Sequence, residues 1–335
     1  MRERQLWSAP GSILIAGEFL VSEEGGLGLS VASGGRGILR LARSSSLEMR
    51  GFCKKQPQFD SSLQSAIKKH YKSVTGRDTL PRAQIFVDTG DFFDARGRKI
   101  GYSSSASAAL LYAVGLAEAD DYHRSGDDIV RIALGAHRAW QGGRGSGYDI
   151  LSSIAGGANL FIGGLTPTHD TFSWPTQLDA WIIRGAKPVN SAFAMERYER
   201  WRNRFNNAPE EIPILLEMAV VIRELADSCS RRAEASTLLD SIHHLSCLGV
   251  QLGRELDVPA WPILPEVFSS NSQPWYSPGR SVAKSLGAGD EITLLLALPG
   301  GLSQQESQAI NQLIKEGKAA PLQLETDGLR REGED

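Results

Sequence analysis

The sequence lacks the cysteine content on which disulfide-stabilised and zinc-binding proteins depend. It has three cysteines, Cys53, Cys229 and Cys247, which are far apart and include no CxxC pair. An odd number without a repeated spacing argues against a disulfide framework and against structural zinc, and it favours a reducing compartment.

Long apolar runs and an excess of one charge are also missing. No apolar stretch approaches the roughly 18 residues that a membrane helix needs. The first residues, MRERQLWSAPG, lack the apolar segment of a signal peptide. Lysine and arginine total 36 and aspartate and glutamate total 39, which gives a net charge of −3. We therefore expect a cytoplasmic protein that binds neither membranes nor nucleic acid and holds any anionic ligand with a few local groups.

What the chain does have is length, a hydrophobic core and glycine. Its 335 residues are 41% hydrophobic, which suits one large or two ordinary domains. The 35 glycines exceed the average share of about 7%. No low-complexity run accounts for them, so each cluster of glycines needs a local explanation.

Strand and helix patterns alternate irregularly, which is typical of the α+β class rather than of a regular βαβ array. They predict strands at 12–16, 38–43, 46–50, 83–88, 178–184, 292–298 and 320–326. They predict helices at 60–74, 127–140, 150–161 and 303–316, a helix after a Gly/Ser loop within 101–120, a mostly helical stretch over 192–258, loops at 269–280 and 284–290, and a charged tail. We expect two domains, 1–185 and 186–330.

The segment Lys99–Ala106 is a glycine and serine loop that opens a helix. The first N–H groups of a helix have no partner and lie at the positive end of its dipole, so this start is suited to an anion such as phosphate. Serine hydroxyls can bind phosphate oxygens or a metal, and Lys99 adds a positive charge. The alternative is a serine that caps a core helix. Neither a Walker A loop nor a GxGxxG fingerprint after a strand is present.

Three further glycine segments each allow two interpretations. At 8–18, a strand between glycines either brings backbone close to a ligand or is an ordinary strand with turns. At 141–149, the glycines precede Asp149, which either caps a helix or directs its carboxylate into a cleft. At 284–290, a loop either closes over a ligand or is a turn before a core strand. His137 lies in a helical stretch and is expected to be a packing residue.

In this order the segments resemble the motifs of the GHMP kinase superfamily, whose members phosphorylate small molecules with ATP. The details are most similar to the phosphomevalonate kinase family. GEFLV at 17–21 resembles its GEYLV, AH…QG…GSGYD at 136–149 resembles AH…QGKxGSGxD, and KSLGAGD at 284–290 resembles KxSGAGGGD. The segment 185–191 resembles the family's substrate segment, and the stretch 252–262 resembles its helix running into VPxxxP.

The resemblance implies a two-domain α+β fold, with an N-terminal ribosomal-protein-like domain, a C-terminal ferredoxin-like domain and an active site in the cleft between them. It implies an ATP-dependent phosphotransferase that uses Mg²⁺ and converts 5-phosphomevalonate to 5-diphosphomevalonate on the mevalonate route to isoprenoids. The partners would be ATP and this phosphorylated substrate, bound to a monomer or a homodimer.

The resemblance also implies roles for individual residues. Lys99 and Asp149 would be catalytic, with Lys99 stabilising charge on the transferred group. The ATP phosphates would be bound by Gly101, Ser103, Ser104, Ser105 and Ala106. Ser104 and Ser105 would also hold Mg²⁺. The substrate would be bound by Ser12, Glu18, Arg144, Ser146, Gly147, Lys187, Ser191, Lys284, Gly287, Ala288 and Gly289.

Two departures from the family pattern keep alternatives open. Ser12 stands where the family has the lysine of APGK, and no acid lies between Ile129 and Tyr148, where related kinases often have a metal-ligating glutamate. The alternatives are a GHMP-type kinase that acts on an alcohol, such as mevalonate or a sugar, and a non-catalytic ligand-binding homologue. The glycines favour an enzyme, because a scaffold without activity has no need to retain so many costly residues.

Overall fold

The structure, a computed structural model, describes residues 5–52, 61–93, 103–120, 125–143, 145–185, 191–205, 211–270, 275–287, 289 and 291–333. The chain divides into two compact units, each made of more than one segment. Unit 1 comprises Met1–Ile13, Val31–Gly157 and Leu324–Asp335, and unit 2 comprises Leu14–Ser30 and Ala158–Gln323. The division between residues 185 and 186 stays a prediction.

Strands and helices follow one another in a mixed order along the described residues. The strands are β1 (Gln5–Ala16), β2 (Leu27–Arg43), β3 (Glu48–Phe52), β4 (Ala83–Asp88), β5 (Ala158–Ile162), β6 (Thr168–Phe172), β7 (Asp179–Arg184), β8 (Tyr276–Ser277), β9 (Ser281–Leu286), β10 (Ile292–Ala297), β11 (Ala319–Pro321) and β12 (Arg330–Arg331). The helices are α1 (Ser61–Thr75), α2 (Ser104–Ala119), α3 (Gly126–Trp140), α4 (Tyr148–Ala155), α5 (Ser191–Arg202), α6 (Pro213–Ser230), α7 (Ala235–Leu256) and α8 (Gln304–Lys315). Within the ranges described, no helix is long and apolar enough to cross a membrane.

Unit 1 is a sheet covered by helices. Its strands lie in the order β12-β1-β2-β4-β3, with β2 antiparallel and β3 parallel to β4. Helix α2 packs on β4, α3 and α4 and is buried on almost every side. Its run of alanine and leucine explains this, because a helix that is apolar all round belongs inside a core. Gly115 allows α2 to lie close to β4, since a Cβ at this position would be only 2.8 Å from the side chain of Ile85.

Unit 2 contains a second sheet, in the order β11-β7-β10-β9-β8. All six residues of β9 and all six of β10 are buried. Helix α7 packs on α6 and β9, while Ile310 of α8 joins Ile183 and Leu295 in a compact apolar cluster. Strands β5 and β6 form an antiparallel hairpin. The continuous apolar run in β10 is typical of a strand buried on both faces.

The elements predicted at 150–161 and 284–290 are wrong. The helix expected over 150–161 ends at Ala155, and the next residues form β5. Gly156 and Gly157 have φ angles of 73° and 59°, which no helix contains. The stretch predicted as a loop from Lys284 begins inside β9. A lysine and two serines in that strand hid its burial, because such residues are rarely found in a core.

The charged C-terminal residues are part of unit 1 and not a tail. β12 pairs with β1, with Arg331 opposite Trp7. Arg36 of β2 forms hydrogen bonds with the segment that precedes β12. Its guanidinium donates to Glu325 Oε2 at 3.2 Å and to the carbonyls of Asp327 and Gly328 at 2.8 and 2.6 Å. It also donates to the Ser8 hydroxyl at 2.8 Å. One side chain therefore joins β1, β2 and the end of the chain.

Arg36→Ala is expected to lower the free energy of unfolding by about 2–3 kcal/mol, because several carbonyl and carboxylate acceptors lose a charged donor. Urea unfolding followed by tryptophan fluorescence measures this loss. Arg40→Ala is the matched control, since Arg40 lies in the same strand with an exposed side chain and should change stability by less than about 0.5 kcal/mol. Equal stability of the two variants would contradict the fastening role of Arg36.

Candidate functional site

Within the described residues, the first N–H groups of α2 have no hydrogen-bond acceptor. Ser103 occupies the N-cap position, but its side chain makes no capping hydrogen bond. Its own N–H donates to the carbonyl of Ser12 at 3.2 Å. Among the residues described, no acceptor faces the N–H groups of Ser104, Ser105 and Ala106. A serine cap is therefore not what the structure contains, and three backbone donors at the positive end of a 16-residue helix are available to an anion.

Asp149 stands beside this helix start. It is the second residue of α4 and is 6% exposed. The hydroxyl of Ser103 donates to Asp149 Oδ2 at 2.9 Å, and the Ile150 N–H donates to Oδ1 at 3.0 Å. The N-cap of α4 is Gly147, so Asp149 is not a cap. Its carboxylate is held next to the open end of α2.

His137 is the residue of this site that the sequence analysis missed. It is fully buried on α3, with Nε2 3.1 Å from Ser105 Oγ and Nδ1 3.6 Å from Asp149 Oδ1. His137 is buried, as a packing residue would be, but it also contacts the polar side chains of Ser105 and Asp149. The available signal was its place in the AH…GSGYD pattern, which connects it to Asp149.

The oxygen donors at this site are suited to Mg²⁺, which binds oxygen ligands and in nucleotide sites uses one or two carboxylates together with phosphates. Asp149 supplies a carboxylate, and Ser105 supplies a hydroxyl, each in contact with a different nitrogen of His137. No group of three or more His, Cys, Asp or Glu side chains that could hold a metal occurs among the described residues. Each of these oxygens could supply one ligand to such a cation, and its remaining ligands would have to come from a bound molecule.

The described glycines before α4 have backbone conformations that favour glycine. Gly142, Gly143 and Gly147 have φ angles of 73°, 84° and 89°, which L-residues rarely adopt. Arg138 of α3 holds the rest of the loop, donating to the carbonyls of Gly145 at 2.9 Å and Ser146 at 2.8 Å. The loop thus fixes where α4, and with it Asp149, begins.

Ser12 of β1 contacts the residue that precedes α2. It is 2% exposed, and within the described part of the chain its hydroxyl has no hydrogen-bond partner. Its carbonyl accepts the Ser103 N–H. In unit 1 the structure therefore brings together the predicted residues Ser12, Ser103, Ser105 and Asp149.

In unit 2, Glu18 and Lys284 form a buried ion pair. Their side chains are 8% and 2% exposed. Lys284 Nζ donates to Glu18 Oε1 and to the carbonyl of Ser285, the latter at 2.9 Å. Within the ranges described, Glu18 Oε2 has no hydrogen-bond partner. The charge of Lys284 is thus neutralised inside unit 2.

A small cavity of about 20 Å³ adjoins this pair. Glu18 and Lys284 are the charged residues that line it, and most of its wall is apolar or glycine, including Met218, Leu252 and Gly287. A volume of this size accepts a group about as large as one water molecule. Among the described lining residues the charges of Glu18 and Lys284 balance, so this wall does not favour an anion.

The turn that carries Glu18 is braced by α5. Phe19 has a φ angle of 66°, which is strained for a bulky residue, and its ring stacks on Tyr198 at 5.2 Å. Burial, and then the nearby carboxylate of Glu23, raise the pKa of Tyr198 well above its usual value. Arg202 of the same helix binds both oxygens of Glu23 at 2.8 Å. The conformation of the turn is therefore fixed by tertiary contacts.

The other predicted site residues are placed as follows. Ser191 begins α5, Gly287 has a φ angle of 76° with open space beside it, and the Gly289 carbonyl accepts the hydroxyl of Ser285. The predicted residues that lie outside the described ranges are Lys99, Gly101, Arg144, Lys187 and Ala288.

The chain matches no protein-family model and no curated protein sequence. Solved structures do match along nearly its whole length. A Lin0012 protein from Listeria innocua aligns with a TM-score of 0.77 at 15% identity, covering 98% of this chain and 99% of that one. Phosphomevalonate kinase from Streptococcus pneumoniae, in complex with phosphomevalonate and AMPPNP, aligns with a TM-score of 0.70 at 15% identity and the same coverage.

Galactokinase from Lactococcus lactis, complexed with galactose, aligns with a TM-score of 0.70 at 14% identity, covering 99% of this chain and 96% of that one. Identities this low identify an architecture and not an activity. The fold expected from the glycine motifs is thereby confirmed, and the chain has the two-domain α+β fold of the GHMP kinases.

Proposed function

We propose that the protein is an ATP-dependent kinase that phosphorylates a small metabolite. The observation that carries the proposal is the open start of α2 with a buried carboxylate beside it, formed by Ser103, Ser105 and Asp149. Phosphoryl transfer needs positioning and charge neutralisation more than covalent chemistry, and these groups provide both. The AMPPNP bound to the Streptococcus pneumoniae kinase supports a nucleotide as the ligand.

The backbone of α2 binds the nucleotide phosphates. The N–H groups of residues 104–106 point from the positive end of the helix dipole and donate to phosphate oxygens. The hydroxyl of Ser103 is already committed to Asp149, so it holds the carboxylate in place rather than binding phosphate. Ser105 would hold Mg²⁺, which when bound supplies positive charge to the transferred group.

The role of Asp149 depends on the acceptor. If the acceptor is an alcohol, the carboxylate takes the hydroxyl proton as a general base. If the acceptor is a phosphate monoester, its attacking oxygen is already largely ionised near neutral pH because the second phosphate pKa is about 6. Asp149 then orients the cation or Lys99, and Lys99 stabilises the developing charge.

The acceptor proposed first is 5-phosphomevalonate, which would become 5-diphosphomevalonate on the mevalonate route to isoprenoids. The motifs at 17–21, 136–149 and 284–290 support it. The anionic groups of this acceptor would be bound by Arg144 and Lys187, and its hydroxyl contacts would come from Ser146 and Ser191. These roles follow the resemblance and are part of the proposal.

An alcohol acceptor is the second candidate, and one observation favours it. Lys284, which an anionic acceptor would use, is neutralised by Glu18 within unit 2. Charge that is already paired contributes little to the binding of a second anion. Mevalonate or a sugar makes less demand on free cations than a phosphorylated acceptor does.

The test is an ADP-release assay with MgATP and three acceptors: 5-phosphomevalonate, mevalonate and galactose. We expect ADP formation with one of them, and ³¹P NMR of the product distinguishes a new diphosphate from a new phosphate ester. Asp149→Asn is expected to lower the rate of ADP formation. Its matched control is Asp127→Asn, which changes an exposed carboxylate in the first turn of α3 and should leave the rate unchanged. Binding of ATP without turnover on any acceptor would support a non-catalytic homologue instead.

A further inference from the structure

His137 has a polar atom that packing alone does not explain. The residue is fully buried, and in the described part of the chain its Nδ1 has no hydrogen-bond partner. A buried nitrogen without a partner costs free energy, and such groups in folded proteins call for an explanation. Its nearest charged neighbour is Asp149 Oδ1, at 3.6 Å. The ring is therefore placed by something more specific than apolar contact.

The ring orientation is set by its surroundings on α3. The imidazole stacks on Trp140 with ring centres 5.7 Å apart and planes 23° apart. This stacking leaves the two nitrogens pointing at different groups, Nε2 at Ser105 and Nδ1 at Asp149. The imidazole thus lies between Asp149 and Ser105, the hydroxyl that the proposed function assigns to the cation.

In the neutral form of the ring, the nearby carboxylate favours one of the two tautomers. A negative oxygen near Nδ1 favours the tautomer with the proton on Nδ1, which leaves Nε2 as an acceptor. The 3.1 Å contact is then a hydrogen bond donated by the Ser105 hydroxyl to Nε2. With its proton turned towards His137, the Ser105 oxygen keeps its lone pairs for a cation.

We propose that His137 is a positioning residue that orients the hydroxyl of Ser105 for a divalent cation bound with the nucleotide. The inference rests on the proposed function, because it requires a nucleotide-bound cation at Ser105. It extends that function to a fully buried side chain. Groups that orient a metal ligand typically change metal affinity about 10–100-fold when they are replaced.

Two substitutions separate the two nitrogens. His137→Gln places a side-chain amide near the position of Nε2 and retains an acceptor for Ser105. His137→Asn places its amide near Nδ1, so it retains a group that faces Asp149 but loses the contact with Ser105. A role in packing alone predicts the same loss from both, whereas the proposed role predicts a loss only from asparagine.

The readout is the affinity for Mn²⁺ in the presence of ADP, measured from the free Mn²⁺ signal in electron paramagnetic resonance. We expect His137→Asn to weaken Mn²⁺ binding about 10–100-fold and His137→Gln to stay within about threefold of the unsubstituted protein. The affinity for ADP in excess EDTA should be unchanged in both. Thermal unfolding of each variant establishes that it is folded.

A double-mutant cycle with Ser105→Ala completes the test. If His137 acts through Ser105, adding His137→Asn to Ser105→Ala causes no further loss, because the contact is already absent. Additive losses, or an equal loss in His137→Gln and His137→Asn, would overturn the inference and leave the proposed function standing. Failure of the unsubstituted protein to bind Mn²⁺ with ADP would overturn both.

Discussion

Replacing Lys284 with methionine lowers the free energy of unfolding by about 3–5 kcal/mol. The substitution keeps the volume of the side chain but leaves the carboxylate of Glu18 buried without its counter-ion. An isolated buried charge loses its hydration and gains nothing in return, which is why breaking such a pair costs more than the pair itself contributes. Urea unfolding measures the loss, and hydrogen exchange of the β9 amides assigns it to unit 2.

The double variant Glu18→Gln with Lys284→Met is the decisive comparison. Removing both charges also removes the uncompensated carboxylate, so we expect the double variant to recover most of the stability that the single variant loses. Lys318→Met is the matched control, because Lys318 is 56% exposed in its pair with Glu316 and should have no measurable effect. A loss below about 1 kcal/mol in Lys284→Met would show that the pair is not buried in solution.

Replacing Asp149 with asparagine lowers kcat about 10²–10⁴-fold if the acceptor is an alcohol, because the general base is lost. If the acceptor is a phosphate monoester, the loss is smaller, and Lys99→Ala lowers kcat more than Asp149→Asn does. Steady-state kinetics with the acceptor found in the ADP-release assay measures both variants. The order of the two effects therefore reports the chemistry of the acceptor independently of the product analysis.

Either result has a clear contradiction. On an alcohol acceptor, a kcat for Asp149→Asn within about threefold of the unsubstituted protein would exclude Asp149 as the base. On a phosphate acceptor, a larger loss from Asp149→Asn than from Lys99→Ala would exclude the role assigned to Lys99. The Ser103 hydroxyl, which also lies against Asp149, gives a further check, since Ser103→Ala should weaken the placement of the carboxylate without removing it.

Local patterns predicted many elements well. The strand at 83–88 has the bounds that alternation predicted, and α1, α3 and α8 begin and end within one residue of the predicted helices. Such elements bury one face, so the period of apolar residues reveals them. For the Gly/Ser segment before α2, the sequence left two alternatives, an open helix start and a serine cap, and the structure shows no capping hydrogen bond from Ser103.

The errors have a different origin. β9 is a fully buried strand that contains Lys284. Its partner Glu18, which makes the burial of this charge possible, is distant in the sequence. The segment after Glu325 looks like a solvated tail until Arg36 is placed beside it. His137 is on the buried side of α3 in either interpretation, so its periodicity could not separate packing from a contact with Ser105.

The sequence by itself determined the α+β class, the order of the glycine loops and their resemblance to the GHMP kinase motifs, since each depends on residues that are neighbours along the chain. Only the tertiary structure decided which polar side chains pair with one another. Glu18 and Lys284 form an ion pair although they are 266 residues apart in the sequence. Arg36 and Glu325 are 289 residues apart, and Ser103 and Asp149 are 46 residues apart. Pairings over such distances depend on how strands and helices pack, and the free energy of each is settled by burial that no local pattern records.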